Sequence, residues 1–124
     1  FFARAELPEN LFQKLPQSSK PEIIRAKVVF SSLGHSAKYA DFRIKSFAEL
    51  RKELHNLKYV ELSDRDQDRK DAISFLEEED QLKNPGLVLK RGGDLDVYQY
   101  YIVEDKSNDR KGPGFYLIEV FIHY

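Results

Sequence analysis

From Phe115 to His123 the side chains alternate in a way that only an extended strand can exploit. A period of two puts Tyr116, Ile118, Val120 and Ile122 on one side, all apolar. Phe115, Leu117, Glu119, Phe121 and His123 fall on the other. A Glu and a His on an otherwise apolar side mark where such a pattern places buried or cleft-lining polar groups. A strand like this needs neighbours, and the sequence just before it supplies them. Leu87-Val88-Leu89 reads as one strand, Arg91-Gly92-Gly93-Asp94 as a turn, and residues 95–104 as the next strand. Residues 105–114, with Asn108, Gly112, Pro113 and Gly114, read as a long polar hairpin loop.

Helical periodicity dominates further upstream. Phe47, Leu50, Leu54 and Leu57 recur at helical spacing behind Ser46-Phe47-Ala48-Glu49, a capping-box pattern, and predict a helix over 46–56. Ala72, Phe75, Leu76 and Leu82 predict a second helix over 67–82. The carboxylates of 63–68 suit the positive end of its dipole, its outer face carries Glu77-Glu78-Glu79-Asp80, and Asn84-Pro85-Gly86 stops it. Lys27-Val28-Val29-Phe30-Ser31 is a short β-rich segment broken by residues 32–36, and Tyr59-Val60-Glu61-Leu62 is a short extended piece. The order strand, helix, helix, three strands predicts an α+β fold, with two helices packed on one face of a roughly four-stranded antiparallel sheet.

The 124 residues fit one domain. Residues 1–24 read as an N-terminal arm and linker that docks through Phe1-Phe2, Leu11-Phe12 and Leu15, and residues 25–124 as the domain proper. The chain opens Phe1-Phe2-Ala3 and contains no Met, so it is expected to be a fragment of a longer protein. Cys is absent, which excludes disulfides and thiolate chemistry. Apolar runs are too short for a membrane helix, so no membrane association is expected. The net charge of −1 conceals an asymmetry: residues 1–60 hold 11 Lys+Arg against 6 Asp+Glu, whereas residues 61–80 hold 3 against 9. Outside one acidic helix the domain is basic, which is compatible with a polyanion site on one face and equally with a mixed solvated surface.

Several chemistries lack their motifs. His35, His55 and His123 are widely spaced, and Asp64, Asp66 and Asp68 alternate like a calcium loop but lack its glycine, so no metal is expected. Neither a phosphate-cradling Gly-rich loop nor a Gly-x-Ser-x-Gly elbow is present, and no cofactor is expected. Three features remain. His35 and Lys38 stand three apart after the first strand, pairing a proton carrier with an anion holder. Lys90-Arg91 ends a strand, with Lys106 and Arg110-Lys111 in or beside the long loop, where cations pin phosphates or simply protect a sheet edge. Tyr98 and Tyr100 share one strand face and Tyr101 the other, where rings stack bases or fill a core.

Val29-Phe30-Ser31-Ser32 followed by His35 and Lys38, then two helices leading to Leu82-Lys83-Asn84-Pro85-Gly86-Leu87-Val88, then Lys90 and a hairpin, resembles the barnase/EndoU/colicin/RelE-like nucleases found in phage and polymorphic-toxin proteins. The likeness spans about residues 25–123, and the long acidic stretch 61–80 departs from it. It implies metal-independent RNA cleavage by 2′-hydroxyl attack. His35, Lys38, Lys90 and His123 would be catalytic, with Glu119 an alternative to His123 as second proton carrier. Ser31, Arg91, Lys106 and Tyr101 would bind substrate. RNA would be the substrate, an acidic inhibitor a further partner, and the cytoplasm of a bacterial or target cell the compartment. Two other classes fit the sequence: a non-catalytic module, such as an immunity or phage accessory protein, that binds a basic partner through the acidic helix 67–82, and a protein-modifying effector.

Overall fold

A computed structural model describes residues 20–30, 36–79, 82–92, 98–107 and 114–121. The elements are β1 (Glu22–Phe30), β2 (Ser36–Arg43), α1 (Phe47–Asn56), β3 (Val60–Glu61), α2 (Gln67–Glu78), β4 (Pro85–Gly92), β5 (Tyr98–Asp105) and β6 (Gly114–Phe121). Every strand pairing is antiparallel, and the sheet order is β1-β2-β6-β5-β4-β3.

This corrects the expected architecture twice. The sheet has six strands rather than about four. The added strands are the hairpin partner β2 and the two-residue edge strand β3. β2 carries no strand signal of its own, because Ser36-Ala37-Lys38-Tyr39-Ala40-Asp41-Phe42-Arg43 is rich in weak strand formers. Pairing overrides that weakness: β2 is held on both sides, by β1 and by β6, and Tyr39, Ala40 and Phe42 are buried. β1 is also longer than expected and begins at Glu22 rather than Lys27.

The second correction concerns the helices, which pack on opposite faces of the sheet. Phe47, Leu50 and Leu54 of α1 join Ala40, Phe42, Leu89, Ile102, Phe115 and Leu117 in one core. Ala72 and Leu76 of α2 join Tyr39, Val88, Tyr101, Val103, Tyr116 and Ile118 in the other. The central strands are apolar on both sides, so each face has to be covered to remove its area from water. β3 makes the crossing. It pairs with the outer edge of β4, a pairing prolonged by the Leu62 N–H donating to the Val88 carbonyl at 2.8 Å, and the chain then enters α2 on the far side.

Local details also differ from expectation. Ser46 sits at the α1 N-cap but its side chain makes no capping hydrogen bond. Asp66 does cap α2, accepting from the Asp68 N–H at 2.9 Å. α2 ends at Glu78, four residues early, and Pro85-Gly86 opens β4 instead of stopping the helix. The step into β4 is held by two carboxylates at the end of β5. Asp105 accepts from the backbone N–H groups of Lys83 (3.4 Å), Asn84 (3.2 Å) and Ser107 (2.9 Å). Glu104 accepts from the Leu87 N–H at 3.0 Å and lies where a Cβ on Gly86 would fall.

Candidate functional site

Register decides which side chains meet. Directly opposed residues on antiparallel strands share a face. Lys38 opposes Glu119, Glu119 opposes Tyr100, and Tyr100 opposes Arg91. These four therefore form one row across β2, β6, β5 and β4. The adjoining row, Ala40, Leu117, Ile102 and Leu89, is apolar and belongs to the α1 core. On the other side of the polar row lie Tyr98 and Phe121, opposed in register with ring centroids 4.9 Å apart. The α1 face thus passes from apolar to polar to aromatic within three rows.

The polar row is built on a buried carboxylate. Glu119 is 4% exposed, and a carboxylate taken out of water needs compensating charge. The Lys38 ammonium stands 3.6 Å from Glu119 Oε1 and is itself partly exposed. At the other end, the half-buried Arg91 pairs with no carboxylate among the described residues. Its charge is felt by Tyr59. Burial pushes the Tyr59 phenol well above its ordinary range, Arg91 draws it partly back, and Tyr100 adds to the rise. Tyr59 Oη is buried without a hydrogen-bond partner among the described residues.

Tyr59 reaches this place through the end of α1. Lys58 takes a left-handed conformation, φ 71°. The Tyr59 N–H donates to the Leu54 carbonyl at 2.9 Å and the Lys58 N–H to that of His55 at 3.1 Å, the paired closure of a Schellman motif. Leu54 and Tyr59 then pack in the same core. The local pattern of Tyr59-Val60-Glu61-Leu62 predicts only an extended piece, since nothing in it shows that a helix end turns the Tyr59 ring into the α1 core.

The expected site residues divide between the two faces. Lys38 and Arg91 stand in the α1-side row. Lys90 and Tyr101 oppose each other on the α2 side, where Lys90 Nζ lies 2.6 Å from Asp68 and 5.6 Å from the centre of the Tyr101 ring. Tyr101 donates to Gln99 Oε1 at 2.9 Å. These contacts fasten the start of α2 to β4. Lys106 is exposed beyond the opposite end of β5, about 20 Å along the strand from Tyr100 at the usual rise per residue. Ser31, His35 and His123 lie outside the described residues. Asp64, Asp66 and Asp68 spend their carboxylates on Arg69, the α2 cap and Lys90. Among the described residues no group of His, Cys, Asp and Glu is placed to hold a metal ion.

The fold also separates charge. Residues 44–58, which carry α1 and its flanks, hold four Lys+Arg against two Asp+Glu, whereas residues 64–79, which carry α2, hold three against seven. Because the helices cover opposite faces, the basic excess lies on the side of the Lys38–Arg91 row. Comparison with known protein families, with curated proteins and with solved structures finds no match to this chain. No helix among the described residues is long and apolar enough to cross a membrane.

Proposed function

We propose that the α1-side row is the substrate face of a metal-independent ribonuclease of the barnase/EndoU/colicin/RelE-like kind. The observation that supports it is Glu119, a buried carboxylate between Lys38 and, across Tyr100, an Arg91 with no carboxylate partner among the described residues. A base flanked by two cations is what transfer at a phosphodiester requires. The ribose 2′-oxygen attacks the adjacent phosphorus, the 2′-oxygen–phosphorus bond forms, and the bond to the 5′-oxygen breaks. The products are a 2′,3′-cyclic phosphate and a 5′-hydroxyl. Glu119 takes the proton from the 2′-hydroxyl, while Lys38 and Arg91 hold the non-bridging oxygens as charge grows on them. His35 or His123 returns a proton to the departing 5′-oxygen, a role carried over from the sequence resemblance. Lys90 and Tyr101 face the other side and take no part.

The test is cleavage of single-stranded RNA in EDTA by the wild-type protein beside Glu119→Gln, Arg91→Gln and His35→Ala. Cyclic-phosphate ends are expected from the wild type. Loss of the base should slow cleavage by roughly 10²–10⁴-fold. A 2′-deoxy residue at the cleaved position should block the reaction. Intact RNA after incubation with folded wild-type protein overturns the reading. The charge separation favours one other reading, a non-catalytic module that receives a basic protein on the exposed acidic side of α2, where Asp71, Glu77 and Glu78 face solvent. Salt-sensitive capture of a basic partner, abolished by reversing those three charges, would favour it.

A further inference from the structure

We propose that the Tyr98–Phe121 pair is a stacking platform for one unpaired nucleobase, so that the preferred ligand of this face is a single-stranded RNA with its backbone along the Lys38–Arg91 row. The inference rests on the reading that this face binds RNA, and adds to it which part of the nucleotide is recognised and in what form.

Three large hydrophobic residues are exposed among the described ones: Ile24, Val60 and Tyr98. Ile24 and Val60 belong to the outermost strands β1 and β3, where exposure follows from having a neighbour on one side only. Tyr98 belongs to the inner strand β5, at the end where the described pairing is with β6, and it is 38% exposed. It stands two residues before Tyr100, hence on the same face and about 7 Å along the strand from the polar row. Phe121, directly opposed on β6, meets the Tyr98 ring at 4.9 Å with the planes inclined by 42°. The described row beside the pair carries the charged groups Lys38, Glu119 and Arg91. Two rings flanked by charged residues fall far short of the ~800 Å² per partner that a stable protein interface needs. A base offers what the site lacks, a flat apolar surface attached to an anion. Rings of this kind accept any base that is out of its helix, whereas a duplex keeps its bases inside.

Binding is measured with a 2′-O-methyl oligonucleotide, which cannot be cleaved by its own 2′-oxygen, using fluorescence anisotropy at fixed salt. Tyr98→Ala is expected to weaken binding by about 5- to 150-fold, the range for loss of one base stack. Tyr98→Phe should stay within about twofold of wild type. Tyr98→Leu, which keeps an apolar contact with Phe121 without an aromatic face, should behave like alanine and guards against misfolding as the cause. An oligonucleotide of abasic residues should bind weakly and be indifferent to Tyr98→Ala, and a blunt duplex should bind more weakly than the single strand. Equal binding by wild type and Tyr98→Ala overturns the platform while leaving the RNA-binding reading in place. Failure of the wild type to bind any of these strands overturns both. Wild-type binding that depends on Tyr98 without any RNA cleavage retains the platform and removes only the catalytic proposal.

Discussion

Lys38 and Lys90 stand on opposite faces of one sheet. Lys38 reaches Glu119 at 3.6 Å on the α1 side, and Lys90 reaches Asp68 at 2.6 Å on the α2 side. Two lysines of equal standing in the sequence therefore do different work. Arg91, one residue beyond Lys90, is the β4 cation that joins the Lys38 row.

The first prediction separates the two lysines. Lys38→Met should abolish RNA cleavage and also destabilise the fold, because it leaves the buried Glu119 carboxylate without its cation. Lys90→Met should retain cleavage and cost about 1 kcal/mol of stability, the scale of a partly exposed ion pair. Burial by itself pushes the Lys90 ammonium down, but the hydrogen bond and charge of Asp68, with Tyr101, outweigh it and raise the group above its ordinary 10.5. A raised folded value means the pair's contribution is complete below the ordinary lysine range and is lost as pH climbs through the folded value. Urea midpoints followed upward from pH 9 should fall more steeply for the wild type than for Lys90→Met. Parallel curves would count against the Lys90–Asp68 pair.

Tyr59→Phe should stabilise the protein by about 1 kcal/mol, because it removes a buried hydroxyl that has no partner among the described residues. Equilibrium urea unfolding gives the sign directly. A loss of stability would show that the hydroxyl is hydrogen-bonded in solution.

Lys58→Gly should stabilise by about 0.5–1 kcal/mol. The position is left-handed, which costs a residue bearing a Cβ more than it costs glycine, although glycine's freer unfolded chain takes part of the gain back. Lys58→Val should destabilise. A thermal melt of the two variants beside the wild type is sufficient, and equal melting temperatures would contradict the Schellman closure of α1.

Asp105→Ala should cost about 2–4 kcal/mol, since it strands the three backbone N–H groups that the carboxylate collects at a fully buried position. Asp105→Asn should recover part of the loss. Hydrogen exchange at Asn84 and Ser107 should accelerate in the alanine variant before the rest of the sheet opens. Unchanged protection there would show that the turn into β4 is held by other means.

Patterns carried on a single element were legible in the sequence. The period of α1 is set by Phe47, Leu50 and Leu54, and the helix forms where that spacing puts it. The alternation along β6 sorts Tyr116 and Ile118 from Phe115 and Leu117, and the two cores divide in the same way. β2 was not legible, because Ala37, Lys38, Ala40 and Asp41 carry little strand preference of their own and owe their conformation to neighbours on both sides.

The candidate site was half legible. Glu119 stood out as a polar residue on an apolar side, and Lys38 and Arg91 as cations near strand ends. Period is written locally, in side chains a few residues apart, so the sequence by itself determined where the two helices start, the C-terminal strands and the split of Tyr100 from Tyr101. Which strand lies beside which, which face each helix covers, and whether Lys90 or Arg91 shares a face with Lys38 were decided by the tertiary structure. Those outcomes follow from hydrogen-bond register between segments far apart in the chain. In a pleated strand a shift of one residue sends every side chain to the other side.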